Sequence, residues 1–257
     1  MEVFAVEGLP EVRPGNDVTE LLVERADLRD DDVVCVASTI VSKANGRGRS
    51  LSSYEPGERA ERIAATIEDI AGEEKDPRMA QAILDECTEV LVEAPFILGV
   101  TEFGHITVNA GIDRSNVPGA DLLLLPEDPT AEAEAIRDGI REQAGVEPSV
   151  IVTDTSGRPF RLGQRGVALG WAGLPASRDW RGEHDRDGRE LEATVQAVVD
   201  ELAAAANLVT GEGDGGTPAA VVRDFDFGDH AGSEQLFRDP EKDVVRQALR
   251  DWSHVRD

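Results

Sequence analysis

The sequence predicts an α+β fold with mixed or antiparallel sheets. Two observations carry this reading. Five segments, 56–71, 76–88, 129–144, 189–207 and 240–252, carry apolar residues at helical spacing. Short apolar runs bounded by Gly, Pro, Asn or Asp, as strands are, fall between them. The two kinds do not alternate strictly, and two stretches hold several strands in a row, which argues against a doubly wound sheet.

The first apolar run, 2–7, leads straight into Gly8-Leu9-Pro10-Glu11. Further strands are expected at 32–37, 90–92, 105–109, 120–125, 148–153, 166–170 and 218–223. Pro56, Pro77, Pro129 and Pro240 head four of the helical segments, where a missing N–H breaks no bond. Residues 211–216 are a Gly-rich loop, and the polar stretch 224–232 reads as a loop or a hinge to the last helix. No solenoid period repeats. Composition marks no domain boundary, so 1–257 is expected to form one unit, any two subdomains sharing a boundary that composition hides.

The 257 residues include 52 acidic and 26 basic side chains, a net charge of -26. Such a surface repels phosphate backbones and anionic bilayers, so nucleic-acid or membrane binding through bulk charge is not expected. The lysines are Lys43, Lys75 and Lys242, and aromatics make up 4% of the chain. An acid-rich, Lys-poor, aromatic-poor composition resembles proteins of salt-accumulating halophiles, where molar salt screens carboxylate repulsion. The alternative is an acidic protein adapted to ordinary salt. Cys35 and Cys87, far apart, make neither a disulfide framework nor a zinc site. No apolar run approaches the roughly 20 residues a membrane helix needs, and no targeting segment is evident. A cytoplasmic protein is expected.

Several segments are candidates for chemistry. Asp154 follows an apolar run and opens Asp154-Thr155-Ser156-Gly157. A carboxylate and a hydroxyl at a strand end suit a hard cation; the same residues read equally as an Asx or Ser/Thr turn. Asp113 lies in Asn109-Ala110-Gly111-Ile112-Asp113-Arg114-Ser115-Asn116, where small residues let a ligand approach, or where an ordinary Asx loop forms. Lys43 directly follows a strand in Ser38-Thr39-Ile40-Val41-Ser42-Lys43, and a compact cation suits a phosphate. Its survival at a surface by chance is the other reading. Arg158, Arg161 and Arg165 form a positive island that either captures an anionic substrate or pairs with nearby carboxylates.

Gly211-Glu212-Gly213-Asp214-Gly215-Gly216 matches G-x-G-x-x-G formally. A helix precedes it and a strand follows, the reverse of a dinucleotide fingerprint. It remains a loop whose N–H groups can wrap a phosphate. There is no P-loop and no G-x-S-x-G elbow, and the histidines at 105, 184, 230 and 254 have no metal-ligand spacing.

Taken together, these segments resemble the coenzyme F420-0:L-glutamate ligase family over nearly the whole chain. The match runs from Gly8-Leu9-Pro10-Glu11 through Ser38-Thr39, Ser42-Lys43, 109–116, Thr153-Asp154-Thr155-Ser156-Gly157-Arg158-Pro159 and Gly163-Gln164. It continues through Asp179, Arg181-Gly182, Asp185 and Gly188-Arg189-Glu190-Leu191 to the loop at Gly211. Asn45 stands where the family usually has an acid, and Glu212 where it often has Gln.

The resemblance implies a CofE-like α+β fold, an intertwined homodimer and no fused nitroreductase-like domain. It implies GTP-dependent addition of L-glutamate to F420-0, and of a further γ-linked glutamate to F420-1, through an acyl phosphate that releases GDP and phosphate. It implies two divalent sites for Mg²⁺ or Mn²⁺, with K⁺ as an accompanying ion. Carried over by motif, Leu9, Pro10, Glu11, Val12, Ser38, Thr39, Lys43 and Asn116 would contact GTP. So would Thr210, Gly211, Glu212, Gly213, Asp214, Gly215, Gly216 and Thr217. Asp113 and Asp154 would hold one metal, and Thr155 and Glu212 the other. Lys43 and Asp154 would be catalytic. Arg158, Arg161 and Arg165 are the residues expected to grip F420-0 or glutamate. The alternatives are a non-catalytic GTP- and metal-binding protein of the same fold, and a carboxylate–amine ligase with other substrates.

Overall fold

The computed structural model describes residues 1–72, 74–115 and 117–251. The chain opens with β1 (Glu2–Ala5), α1 (Val18–Arg25), β2 (Val33–Ala37), α2 (Ser38–Ala44), β3 (Gly48–Arg49), α3 (Glu58–Ala71) and α4 (Pro77–Asp85). It continues with β4 (Glu89–Val92), β5 (Leu98–Val100), β6 (Ile106–Val108), β7 (Leu122–Leu123), α5 (Pro129–Ala144), β8 (Ser149–Ser156) and β9 (Arg165–Ala172). The last elements are β10 (Ser177–Asp179), β11 (Val195–Gln196), α6 (Val198–Thr210), β12 (Ala219–Arg223), β13 (Ala231–Ser233) and α7 (Val244–Arg250). The fold is α+β with mixed sheets, as the sequence predicts. Among the described residues no helix is long and apolar enough to cross a membrane.

Two compact units share the chain: Met1–Gly46 with Asp128–Leu236, and Arg47–Glu127 with the segment after Leu236. Both units are discontinuous in sequence, so no single shift in composition accompanies either boundary.

The first unit is built on a five-stranded sheet in the order β1-β12-β2-β8-β9. Only β2 and β8 run parallel; the other pairs are antiparallel. Helices cover both faces, so the central strands are apolar at every position rather than at alternate ones. On one face Val34, Val36, Val150, Val152, Ala219 and Val221 pack against Leu22 of α1 and Ile136 and Ile140 of α5. On the other, Val33, Cys35, Ile151, Ala220 and Val222 pack against Val198, Val199, Leu202 and Ala206 of α6.

β9 supports a helix on each face through two glycines. A Cβ at Gly166 would lie 2.3 Å from the carbonyl oxygen of Ala203 in α6, and one at Gly170 would lie 2.2 Å from the backbone of Pro129 in α5. Residues four apart in a regular strand share a face. Here a bulge between the Val152–Gly170 and Thr153–Ala168 pairs inserts one residue in β9 and turns the two glycines to opposite faces. Asp200 of α6 accepts the Ala168 N–H at 3.0 Å beside this bulge.

The second unit packs α3 and α4 over a core of Ile63, Ile67, Met79, Ile83, Ile97 and Leu122. It also holds the sheet β4-β5-β6, whose residues Leu91, Val92 and Val100 receive Leu249 of α7.

Some expected elements shift. Segment 189–207 is not helical throughout: α6 begins at Val198. The Asp185 side chain takes the Arg189 N–H at 2.8 Å, and Leu191 N bonds Glu183 O, so residues 183–191 close a turn instead. Pro77 and Pro129 do start helices, whereas Pro56 precedes the cap Gly57, and α7 starts four residues after Pro240, with Asp243 as its cap. Residues 120–125 yield only the two-residue β7, and α1, α2, β5 and β10 have no counterpart among the predicted elements. The polar 224–232 stretch ends in β13. Residues Trp252 and His254 lie outside those described.

Candidate functional site

The topology of the first unit collects separate pieces of the sequence at one end of its sheet. β2 and β8 are parallel, with Ala37 opposite Thr153, so Ser38, just past the end of β2, lies beside Asp154 of β8. β12 is antiparallel to β2 with Ala219 opposite Val36, so the 211–217 loop that feeds it arrives at this same end. β1 is antiparallel to β12, and Val6 N bonds Ala219 O, so residues 9–12 leave from here too. The β8–β9 connection with Arg158 and Arg161 is likewise here. Ligands of open sheets commonly bind beyond the carboxyl ends of parallel strands, because backbone and side chains of several connections converge there.

Three local groupings result. Ser38 Oγ donates to Asp154 Oδ1 at 3.3 Å. One helical turn on, Ser42 is buried and its Oγ has no hydrogen-bond partner among the described residues. Lys43 Nζ lies 2.7 Å from Glu11 Oε1; the lysine side chain is 12% exposed and the carboxylate 52%. Thr155 Oγ1 donates to Glu212 Oε1 at 2.9 Å, and Asn207 Nδ2 donates to the same oxygen at 2.7 Å and reaches Thr155 Oγ1 at 3.4 Å.

Asp154 and Thr155 are consecutive in β8, so their side chains leave opposite faces of the sheet. That alternation gives Asp154 to α2 and Thr155 to α6. The loop beyond α6 has Gly211 and Gly216 at positive φ, and Thr217 Oγ1 donates to Thr210 O at 3.1 Å across its neck. Thr39 is half-buried, and Gly213, Asp214 and Gly215 are exposed. Val12 is buried in the core, and Leu9 is partly buried against it; Pro10 is exposed.

Among the described residues none of Arg158, Arg161 and Arg165 lies within ion-pair distance of a carboxylate. Arg158 and Arg165 reach the carbonyls of Leu162 and Gly166. Arg165 acts on Asp200 at longer range, opposing the burial that raises that carboxyl pKa. Phe160 and Leu162, on the same connection, are fully exposed.

Asp113 belongs to the second unit, where its backbone bridges Leu123 in both directions. Its carboxylate accepts the N–H and the hydroxyl of Ser115 at 2.7 and 2.8 Å, which is an Asx turn. Asn109, Ala110 and Gly111 before it all have φ above +50°. Asn116 lies outside the described residues.

The donors fit a hard divalent cation by their chemistry. Thr155 and Glu212 bring a hydroxyl and a carboxylate oxygen together, and Asp154 presents a carboxylate on the other face of the same strand; among the described residues no group of three His, Cys, Asp or Glu could hold a metal. Mg²⁺-like ions are held in this way, by one or two carboxylates with water and phosphate oxygens completing the shell.

The family model for F420-0:gamma-glutamyl ligase matches residues 8–224, spanning the candidate site. The chain belongs to that family. It is 95% identical over 257 residues to the coenzyme F420:L-glutamate ligase of Haloarcula marismortui, covering all of both chains. Identity to the protein of that name in Natronomonas pharaonis is 66% over 253 residues, 98% of each chain. To that in Archaeoglobus fulgidus it is 47% over 250 residues, 97% of this chain and 98% of the relative. The relatives thus include halophilic archaea, in keeping with the acidic composition.

Sequence reading missed Asn207 and the Glu11–Lys43 pair. A signal for Asn207 does exist: it is the one polar residue between Leu202 and Val209. Glu11 is among the residues expected to contact GTP, but nothing in the sequence marks it as the partner of Lys43.

Proposed function

We propose that this chain is a GTP-dependent ligase that adds L-glutamate, and then a second γ-linked glutamate, to coenzyme F420-0, working as a homodimer. The observation that carries the reading is that α2 with Lys43, β8 with Asp154 and Thr155, and the 211–217 loop with Glu212 meet at one end of the sheet of a family-typical chain. The names of the relatives supply the substrates.

The chemistry follows from the poor leaving ability of oxide. The carboxylate of F420-0 attacks the γ-phosphorus of GTP, and GDP leaves. The resulting acyl phosphate has phosphate as its leaving group. The glutamate amine attacks its carbonyl carbon, loses a proton, and an amide and inorganic phosphate result. Catalysis of this kind is mainly positioning and charge neutralisation. Lys43 supplies a fixed cation to the phosphates. The 211–217 backbone N–H groups wrap them. Asp154, and Thr155 with Glu212, would hold Mg²⁺ or Mn²⁺. Bound there, a divalent ion neutralises phosphate charge and polarises the transferring group. Arg158 and Arg161, which pair with no carboxylate among the described residues, suit a phosphodiester or carboxylate of the acceptor substrate.

The test is purified protein in molar KCl with GTP, Mn²⁺, L-glutamate and F420-0, read by mass spectrometry. Products heavier by one and then two glutamyl units are expected, with phosphate release that needs both co-substrates. Asp154→Asn should fold normally and turn over ~10²-fold or more slowly. GTP binding without any glutamyl product would favour a non-catalytic protein. Product only with a different amino acid or acceptor would favour another carboxylate–amine ligase.

A further inference from the structure

We infer that Asn207 is the positioning residue that sets Glu212 against Thr155 for a divalent cation. The inference rests on the proposed metal-dependent reading of this site. Glu212 is carried by a loop with glycines at 211, 213, 215 and 216, a backbone with many accessible conformations. A carboxylate on such a loop needs a tether before it can act as a ligand at a fixed point. Asn207 stands in the last turn of α6, whose inner face is buried along the sheet. Its amide donates to Glu212 Oε1 at 2.7 Å, the same oxygen that Thr155 Oγ1 reaches at 2.9 Å.

That arrangement has a direction. Oε1 receives both hydrogen bonds, while Oε2 receives none among the described residues. A lone pair of Thr155 Oγ1 and the unused carboxylate oxygen are what a hard cation would take. Asn207 itself need not touch the ion. Groups that orient ligands in this way typically change metal affinity by about 10–100-fold when removed.

The position of Asn207 depends in turn on Gly166. A Cβ there would meet Asn207 Cβ at 2.9 Å and the Ala203 carbonyl oxygen at 2.3 Å. Gly166 is the direct cross-strand partner of Thr155. The close approach of α6 and the contact of Asn207 with Thr155 are one feature.

The experiment measures Mn²⁺ binding by electron paramagnetic resonance, with a non-hydrolysable GTP analogue present, for wild type, Asn207→Leu, Asn207→Ala and Glu212→Ala. The unfolding midpoint is taken in EDTA. In Asn207→Leu and Asn207→Ala, one class of Mn²⁺ should bind about tenfold more weakly. Their midpoint in EDTA should stay at the wild-type value, and the apparent KM for Mn²⁺ should rise while kcat recovers at high Mn²⁺. Glu212→Ala should lose the same class of ion. If Glu212→Ala loses it but both Asn207 variants bind as wild type does, the positioning role is overturned and the metal site stands. If Glu212→Ala also binds both ions normally, the metal reading itself fails and the inference falls with it. A lowered midpoint with unchanged Mn²⁺ affinity would make Asn207 a packing residue only, which also overturns the proposal.

Discussion

Thr155 and Gly166 face each other across β8 and β9, and the bare Cα at Gly166 is what lets α6 come down onto Thr155. A helix cannot ordinarily press its backbone onto a strand, because the strand's side chains stand between them. Here one residue type removes the obstacle at the point where the site needs the helix.

Gly166→Ala tests this relationship. The new methyl meets backbone rather than a movable side-chain tip, so α6 must shift. Overpacking of this kind costs about 1–3 kcal/mol. Denaturant unfolding should show that loss, and Mn²⁺ titration should show weakened binding. An alanine variant equal to wild type in both would mean that α6 can slide without consequence.

A second test concerns the buried pair at the edge of the same unit. The Asp32 side chain is fully buried, with Arg223 Nε and Nη2 each 2.8 Å from a carboxylate oxygen. Arg223 also donates to Asp27 O, which ties β12 to the loop before β2. Arg223→Met leaves the buried Asp32 without its cation and should lower the denaturation midpoint. Adding Asp32→Asn to that variant should recover part of the loss. Chemical denaturation of the single and double variants measures both effects.

In the second unit, hydrogen bonds from Arg250 and Arg246 hold the Glu89 carboxyl down at about 2, below its ordinary 4.5. A depressed carboxyl pKa means the folded form favours the ionised acid. The contribution is therefore present above pH 4.5 and lost as pH falls toward about 2. The difference in thermal midpoint between wild type and Glu89→Gln should be largest near neutrality and shrink across that window. A difference that grew on acidification would contradict the pairing of β4 with α7.

Salt should stabilise the whole chain. With a net charge of -26, carboxylate repulsion dominates at long range. The screening length falls from about 10 Å at 0.1 M to about 3 Å at 1 M. The thermal midpoint should rise by several degrees from 0.1 M to 2 M KCl, since about 1 kcal/mol moves it by about 2–4 °C in a chain of this size. A flat or falling midpoint would show that the acidic surface is not adapted to salt.

Elements with strong local signals were legible. Helices α3, α4 and α5 have apolar stripes, and Asp76-Pro77 and Asp128-Pro129 mark two of their starts. Helix α1 escaped notice because its eight residues mix Glu and Arg with few buried positions. Helix α2 escaped because it follows β2 with no side-chain cap at Ala37. The turn at 183–191 was hidden because Asp185 acts through a local hydrogen bond rather than through periodicity.

The sequence by itself determined the acidic surface, the apolar strands, the starts of α4 and α5 and the presence of Lys43, Asp154, Thr155 and Glu212 in motifs resembling one ligase family. Only the tertiary structure decided their company: Asp154 with Ser38, Thr155 with Glu212 and Asn207, Lys43 with Glu11. The reason is that these partners are separated by 32 to 116 residues along the chain. Strand direction and a one-residue bulge in β9, rather than any local preference, bring them within hydrogen-bond reach.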